Sequence, residues 1–80
     1  MSAQITPSRT LDCRGLLCPM PIIKISNAIR ELEVGEVLEM LASDPGSRAD
    51  MLAWEKHTGH EILDTKEDDG LLRFYVRKTR

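Results

Sequence analysis

The sequence predicts an α/β fold of the α+β type: a two-layer sandwich in which two helices cover one face of a four-stranded mixed sheet. Two patterns predict it. Apolar residues recur at helical spacing after Pro19 and again after Ser47, whereas those near the end of the chain alternate as in a strand. Turn residues separate these segments into the order β-α-β-α-β-β. Both helices must lie on the same face of the sheet if their apolar sides are to be buried.

The first half of the chain predicts a strand, a helix and a second strand, all within a single domain over residues 1–80. The predicted elements are a loose arm over 1–8, a strand over Arg9–Cys13 ended by Arg14 and Gly15, a helix from Pro19 to a stop at Gly35, and a strand over 36–43. The helix carries an apolar stripe made of Ile22, Ile25, Ile29 and Leu32. Because a helical crossover joins the two strands, they are expected to be parallel.

The second half predicts a helix and a hairpin. The helix follows a turn at 44–47, is capped by Ser47 with Asp50 or by Asp44 before Pro45, and ends at Gly59. Met51, Trp54 and Thr58 lie on one face of this helix. Two strands, over 61–66 and 71–78, flank a connection at 67–70 that has glycine near its end, which predicts a hairpin. In the last strand the inward residues are Leu72, Phe74 and Val76, and the outward residues are Arg73, Tyr75 and Arg77.

The composition excludes several classes of protein. The chain has 80 residues and a formal net charge of −2, which gives no electrostatic footprint for a dedicated nucleic-acid binder. No apolar run is long enough to span a membrane, and the N-terminus lacks the pattern of a secretory signal. We therefore expect a cytoplasmic protein that is a monomer when alone. The segment 77–80, in which three of the four residues are basic, is interpreted as a solvated tail, with a docking patch for an acidic partner or RNA as the alternative.

A reactive cysteine is the main candidate for function. Cys18 directly precedes Pro19, and proline is favoured at the first position of a helix. Cys18 is therefore expected at or beside the N-cap, where free backbone N–H groups and the positive end of the helix dipole would face its sulfur. Such surroundings favour the thiolate, which is the nucleophilic form of cysteine. Pro19 and Pro21 would hold this junction stiff, and Met20 between them could offer a partner an apolar contact.

Other candidate residues have more than one interpretation. Cys13 is interpreted as a half-buried residue at the end of a strand, with a resolving thiol for Cys18 as the alternative. Arg14 and Lys24, with Arg30 further along the helix, form either an ordinary polar surface or a positive surround that lowers the pKa of Cys18 and docks an acidic partner. The two histidines, His57 and His60, do not combine with the cysteines into a recognised zinc spacing, so we expect no metal site.

The chain also resembles the TusA/SirA family of sulfur carrier proteins, whose signature is Cys-Pro-x-Pro after a short first strand. The signature here is Cys18-Pro19-Met20-Pro21, and further similarities lie in register at Leu11-Asp12, Gly15-Leu16, Gly35-Glu36, Asp44-Pro45, Thr58-Gly59-His60 and Arg77-Lys78. The resemblance implies that Cys18 carries sulfur as a persulfide, with no separate cofactor, and that the protein is a covalent carrier in a relay instead of a stand-alone enzyme.

The resemblance also implies protein partners. These would be a cysteine desulfurase or a rhodanese-like protein as donor and a DsrE/TusD-like or other cysteine as acceptor, in tRNA thiolation, cofactor synthesis or sulfur oxidation. Met20 at the variable motif position favours sulfur oxidation. Two other functions stay open: a dithiol redox switch that uses Cys13 and Cys18, and a nucleic-acid-binding module, suggested by an element order shared with the C-terminal domain of a translation initiation factor.

Overall fold

The structure is a computed structural model that describes residues 6–17 and 19–80, and these follow the predicted order of elements. The elements are β1 (Arg9–Cys13), α1 (Met20–Ile29), β2 (Val37–Ala42), α2 (Ser47–Thr58), β3 (Glu61–Asp68) and β4 (Leu71–Arg77). The strands form one sheet in the order β1-β2-β4-β3. β1 is parallel to β2, as predicted, and β4 is antiparallel to both of its neighbours. The predicted four-stranded mixed sheet with two helices is confirmed.

The core lies between the sheet and the two helices. Successive residues of a strand point to opposite faces, so alternate residues of β2 and β4 share the face that the helices cover. The cross-strand pairs on this face are Leu38 with Val76, Met40 with Phe74, and Ala42 with Leu72, all of them buried. From the helices, Ile25 and Ile29 of α1 and Met51 and Trp54 of α2 complete the core. The predicted inward residues of the last strand are therefore confirmed.

The ends of α1 differ from the prediction. The helix begins at Met20 with Pro19 as its N-cap, one residue later than expected, and it ends at Ile29, well before Gly35. After Ile29 the chain tightens, because the N–H groups of Glu31 and Leu32 donate to carbonyls three residues back. Gly35 has a φ of +96° and turns the chain into β2, with its N–H donating to the carbonyl of Lys78 at 2.7 Å. The predicted helix stop at Gly35 is therefore wrong.

The second helix starts where predicted but without the predicted cap. Gly46 is its N-cap, and neither Ser47 nor Asp50 forms a capping hydrogen bond. Ser47 is 2% exposed, so its side chain belongs to the buried side of the helix. Asp44 instead accepts the Gly46 N–H at 3.1 Å, which closes the turn before the helix. At the other end Gly59, with a φ of +83°, terminates α2 as predicted, because glycine adopts the left-handed conformation without strain.

The hairpin connection is shorter than predicted. β3 continues to Asp68, so only Asp69 and Gly70 join it to β4, and both have a positive φ. Two such residues are typical of a type I′ turn, whose twist matches that of the flanking strands. The register of β3 shifts between Ile62 and Asp64, at an irregularity of the outer strand.

The segments that flank the sheet are held more closely than predicted. Within the expected loose arm, residues 1–5 lie outside the described residues, whereas the N–H of Ser8 donates to the carbonyl of Val37 at 2.7 Å. After β4, Lys78 and Thr79 make hydrogen bonds to the rest of the domain, so the solvated-tail interpretation is wrong for these two residues. In the part of the chain that the structure describes, neither helix has the length and hydrophobicity needed to cross a membrane.

Candidate functional site

The candidate site is the loop that leads from the carboxyl end of β1 to the start of α1. Cys18 itself lies outside the described residues, so the site is defined by the residues on either side of it. On the strand side, the N–H of Leu16 donates to the carbonyl of Cys13 at 3.2 Å, and the N–H of Gly15 donates to Ser43 Oγ at 2.8 Å. These bonds fasten the start of the loop to the sheet.

The helix side of the loop uses its own backbone N–H groups. The N–H of Met20 donates to the carbonyl of Leu17 at 2.9 Å, and the N–H of Ile22 donates to the carbonyl of Pro19 at 3.1 Å. Pro21, between them, has no N–H. The prediction of free N–H groups at the helix start is therefore wrong for these described residues, and the thiolate on Cys18 stays a prediction. The start of α1 still presents the positive end of the helix dipole.

The two prolines of the motif have different environments. Pro19 is the exposed N-cap of α1, whereas Pro21 lies in the first turn and is buried. Because proline fixes its own φ angle, both residues restrict the junction. Pro21 also fixes the start of the helix to the protein interior, while Pro19 lies next to Cys18 at the surface. Pro19 therefore restricts the backbone of the loop without packing in the core, whereas Pro21 does both.

Exposed apolar residues lie on both sides of Cys18 in the sequence, and we call them the exposed apolar patch. Its members are Leu17, Met20 and Ile23, with 73%, 42% and 47% of their surfaces exposed. The sequence reasoning identified Met20 as an apolar contact but missed Leu17 and Ile23. A signal for Ile23 was present, because at 100° per residue it lies off the stripe of Ile22, Ile25 and Ile29. Exposed apolar residues in one group mark contact surfaces more often than scattered ones do.

The charges near the loop are partly neutralised. Arg14 donates two hydrogen bonds to Asp12, from Nε to Oδ1 at 2.9 Å and from Nη2 to Oδ2 at 2.8 Å. These bonds lower the pKa of Asp12 to about 2. Lys24 also lowers the pKa of Asp12 and opposes the rise in the pKa of Cys13, so its ammonium group lies near the end of β1. Arg14 and Lys24 are the two cations that were predicted to dock a partner. Among the ion pairs of the described residues, Arg14 pairs with Asp12, whereas Lys24 takes part in none.

Cys13 belongs to the protein core. It is 0% exposed, more deeply buried than the half-buried residue predicted, and burial raises the pKa of its thiol. A thiol that is buried and protonated reacts slowly in thiol–disulfide exchange, where the thiolate and its accessibility determine the rate. The structure therefore does not favour Cys13 as a resolving thiol, and with it the dithiol switch loses its main support.

The two histidines lie in the last turn of α2 and directly after that helix. The N–H of Thr79 donates to His60 Nδ1 at 3.2 Å, and the His60 ring lies 5.5 Å from the Trp54 ring. Burial lowers the pKa of His60, and the nearby Lys78 and Arg80 lower it further. His57 lies on the surface of α2, beside a groove against α1. Among the described residues no three acidic, histidine or cysteine side chains are placed to hold a metal ion.

Comparison with known proteins identifies relatives along most of the chain. The family described as sulfurtransferase TusA matches residues 9–78. The chain is 39% identical over 69 residues to the sulfur carrier protein TusA of Allochromatium vinosum, covering 86% of this chain and 91% of that protein. It is 52% identical over 68 residues to the YrkF protein of Bacillus subtilis, covering 85% of this chain but only 37% of YrkF.

A solved structure shares the fold. The SirA-like protein of Desulfitobacterium hafniense superposes with a TM-score of 0.77 at 26% sequence identity. The similarity covers 90% of this chain and 99% of that one. The two proteins therefore share a fold over most of this chain.

Proposed function

Because the chain belongs to the TusA sulfurtransferase family, we propose that it is a sulfur carrier that holds the transferred sulfur as a persulfide on Cys18. The observation that carries this proposal is the family match over residues 9–78, within which the motif Cys18-Pro19-Met20-Pro21 lies. Cys18 is the one cysteine of this motif, and the chain's other cysteine, Cys13, is buried in the core.

The proposed transfer is an exchange between thiols that needs no external oxidant or reductant. The Cys18 thiolate attacks the outer sulfur of a donor persulfide, R–S–SH. A new S–S bond forms to Cys18, the S–S bond of the donor breaks, and the donor leaves as the thiolate R–S⁻. The proton stays on the outer sulfur, so the product is Cys18–S–SH. The acceptor thiolate then repeats the same step on Cys18–S–SH and regenerates the Cys18 thiolate.

The surroundings of the loop support this chemistry. Leu17 and Pro19, on either side of Cys18, are both exposed. A persulfide relay requires direct contact between two protein cysteines, and the exposed apolar patch of Leu17, Met20 and Ile23 gives a partner a surface to bind. Pro21 anchors the helix start in the interior, which restricts the motion of the junction.

A carrier of this kind works between partners. Its donor would be a cysteine desulfurase or a rhodanese-like protein, and its acceptor would be a DsrE/TusD-like or other protein cysteine. The chemistry above takes place on the sulfur atoms themselves, so the chain needs a nucleophile, access and a stable presentation but no bound cofactor. We therefore propose a covalent carrier whose turnover depends on both partners.

A chase experiment tests the carrier function. The protein is loaded with a small-molecule persulfide donor, desalted, and then mixed with a thiol-containing acceptor protein. We expect the mass of the carrier to fall by one sulfur atom while the acceptor gains one. A sulfur atom that enters the protein but cannot be passed on would contradict the carrier function.

A further inference from the structure

A groove between the two helices connects the loop to a second, charged region. Its first part begins at Pro19 and is lined by Ile22 of α1 and by Asp50, Ala53, Trp54 and His57 of α2. Its second part continues along the same two helices past Trp54 and His57, which line both parts, to Arg30 and His60. The first part is mostly apolar, whereas the second carries cations and hydroxyl groups.

Five basic residues gather at the far part of this groove, and we call them the cationic end. Arg30, His57 and His60 line it, and Lys78 and Arg80 lie close enough to His60 to lower the pKa of its ring. Lys78 and Arg80 come close because the chain after β4 folds back: Thr79 bonds to His60 Nδ1 and donates its hydroxyl to the carbonyl of Gly59 at 2.7 Å. Lys78 Nζ donates to the carbonyls of Leu32 at 2.6 Å and Arg30 at 3.3 Å. The basic segment is therefore fixed in place.

The cationic end has few acidic partners of its own. The ion pairs among the described residues involve Arg9, Arg14, Arg48, Arg73 and Arg77, and none of them includes a member of the cationic end. His60 accepts a hydrogen bond at Nδ1, so its ring proton in the neutral form is on Nε2, which is a donor. Among the described residues the cationic end thus presents positive charge and N–H donors outside any ion pair, and the one carboxylate that lines the groove, that of Asp50, lies in its first part.

We propose that the cationic end binds an acidic side chain of the protein partner whose cysteine exchanges sulfur with Cys18. This inference rests on the proposed function. From Pro19 to Arg30 there are eleven residues, and a rise of 1.5 Å per residue gives about 16 Å along α1. An extended segment covers that distance in about five residues. The partner would therefore carry Asp or Glu about five residues from its cysteine, with apolar side chains between them in the groove.

The groove favours a protein segment over RNA. Its first part is mostly apolar and carries the Asp50 carboxylate, whereas an RNA backbone requires a continuous positive track. Trp54 is 5% exposed, so its ring is not available for a base to stack on. The chain as a whole has a net charge of −2, which repels a polyanion at long range but leaves a local site for one carboxylate.

Synthetic peptides test this inference. The first peptide has a single cysteine, an Asp-Asp pair five residues before it and another five residues after it, with Leu or Val at the positions between the cysteine and each pair. The second peptide is the same except that Asn-Asn replaces each Asp-Asp pair. The chain is loaded with a small-molecule persulfide donor, and mass spectrometry follows the sulfur as it moves to the peptide thiol. The step is Cys18–S–SH plus peptide–S⁻ giving peptide–S–SH plus Cys18–S⁻.

The protein variants for this assay are Arg30→Glu and Arg80→Glu. The control variant is Lys56→Glu, which makes the same charge change on α2 at an exposed residue that does not line the groove.

We expect the Asp peptide to accept sulfur faster than the Asn peptide. Exposed ion pairs contribute modestly, so Arg30→Glu or Arg80→Glu should slow transfer to the Asp peptide by about three- to tenfold and leave the Asn peptide unaffected. Lys56→Glu should affect both peptides equally. Equal rates for the two peptides on the loaded wild type would overturn the inference, as would an RNA oligonucleotide that binds and loses affinity in Arg30→Glu. Failure of the wild type to load would instead contradict the proposed function.

Discussion

Trp54 Nε1 donates a hydrogen bond of 2.9 Å to Ser26 Oγ, and this bond joins α2 to α1 beneath the groove that begins at the candidate loop. The Trp54 ring is 5% exposed, so its N–H requires a partner inside the protein. Ser26 supplies it from a position on α1 between the apolar residues Ile25 and Ile29. The spacing of the two helices therefore depends on a polar contact as well as on apolar packing.

The first prediction concerns this contact. Ser26→Ala leaves the Trp54 N–H without its partner in a partly buried position, which is expected to lower the free energy of unfolding by about 1–2 kcal/mol. Urea unfolding measures the effect, and the emission of Trp54 should shift in the folded state. Ser8→Ala, at an exposed serine, is the control and should leave stability near that of the wild type. Equal stability of Ser26→Ala and Ser8→Ala would show that the bond contributes nothing.

The second prediction concerns the Asp12–Arg14 pair beside the loop. Asp12→Asn removes the negative charge and leaves Arg14 unpaired, so the pH midpoint for alkylation of Cys18 should fall. Arg14→Gln leaves the Asp12 carboxylate unpaired, so the same midpoint should rise. Alkylation with iodoacetamide as a function of pH measures both.

The double variant Asp12→Asn/Arg14→Gln is the matched control for this pair. It removes both charges at once, so its alkylation midpoint should lie close to that of the wild type. Two single variants with the same midpoint as the wild type would mean that the pair does not act on Cys18.

The third prediction is the response of this pair to acid. Asp12 has its pKa lowered to about 2 in the folded protein, first by the side-chain hydrogen bonds from Arg14. A depressed pKa means that the folded state favours the ionised form, so the contribution to stability is complete above the unfolded value of about 4. It is lost as the pH falls from about 4 towards 2. The stability of Asp12→Asn should therefore depend less on pH than that of the wild type in this window, and identical acid unfolding curves would contradict the assignment.

The fourth prediction separates the two prolines. Pro21 is buried, so Pro21→Ala removes about two buried methylene groups and should cost about 1–2 kcal/mol of stability. Pro19 is exposed, so Pro19→Ala should change stability by less than about 1 kcal/mol. Sulfur transfer should nevertheless slow in Pro19→Ala, because the junction next to Cys18 becomes less restricted. Unchanged transfer in folded Pro19→Ala would show that Pro19 has no part in presentation.

The patterns that predicted the fold are those set by burial. Alternation in the last strand placed Leu72, Phe74 and Val76 on the inner face correctly, because a strand with one covered face must separate apolar from polar residues. The end of α1 was predicted incorrectly, because hydrogen bonds of the tightened turn after Ile29, and not Gly35, terminate the helix. A glycine in the sequence marks one residue at which a helix can end, but it does not show whether a tight turn ends the helix earlier.

The site was less accessible to prediction than the fold. The N–H of Met20 at the helix start was expected to be free, but it donates to the carbonyl of Leu17. No residue pattern specifies the direction of that carbonyl. The depth of Cys13 depends on how α1 covers the end of β1. The cationic end combines residues from three separate parts of the chain, so only the folded structure brings them together.

The most direct test of the carrier function is the intact mass of three proteins after incubation with a loaded cysteine desulfurase or rhodanese. The wild type and Cys13→Ala should each gain one sulfur atom, because Cys13 is buried, and a reducing agent should remove it. Cys18→Ser should gain none while it remains folded. A gain of one sulfur atom by folded Cys18→Ser would contradict the assignment of Cys18 as the sulfur-bearing residue.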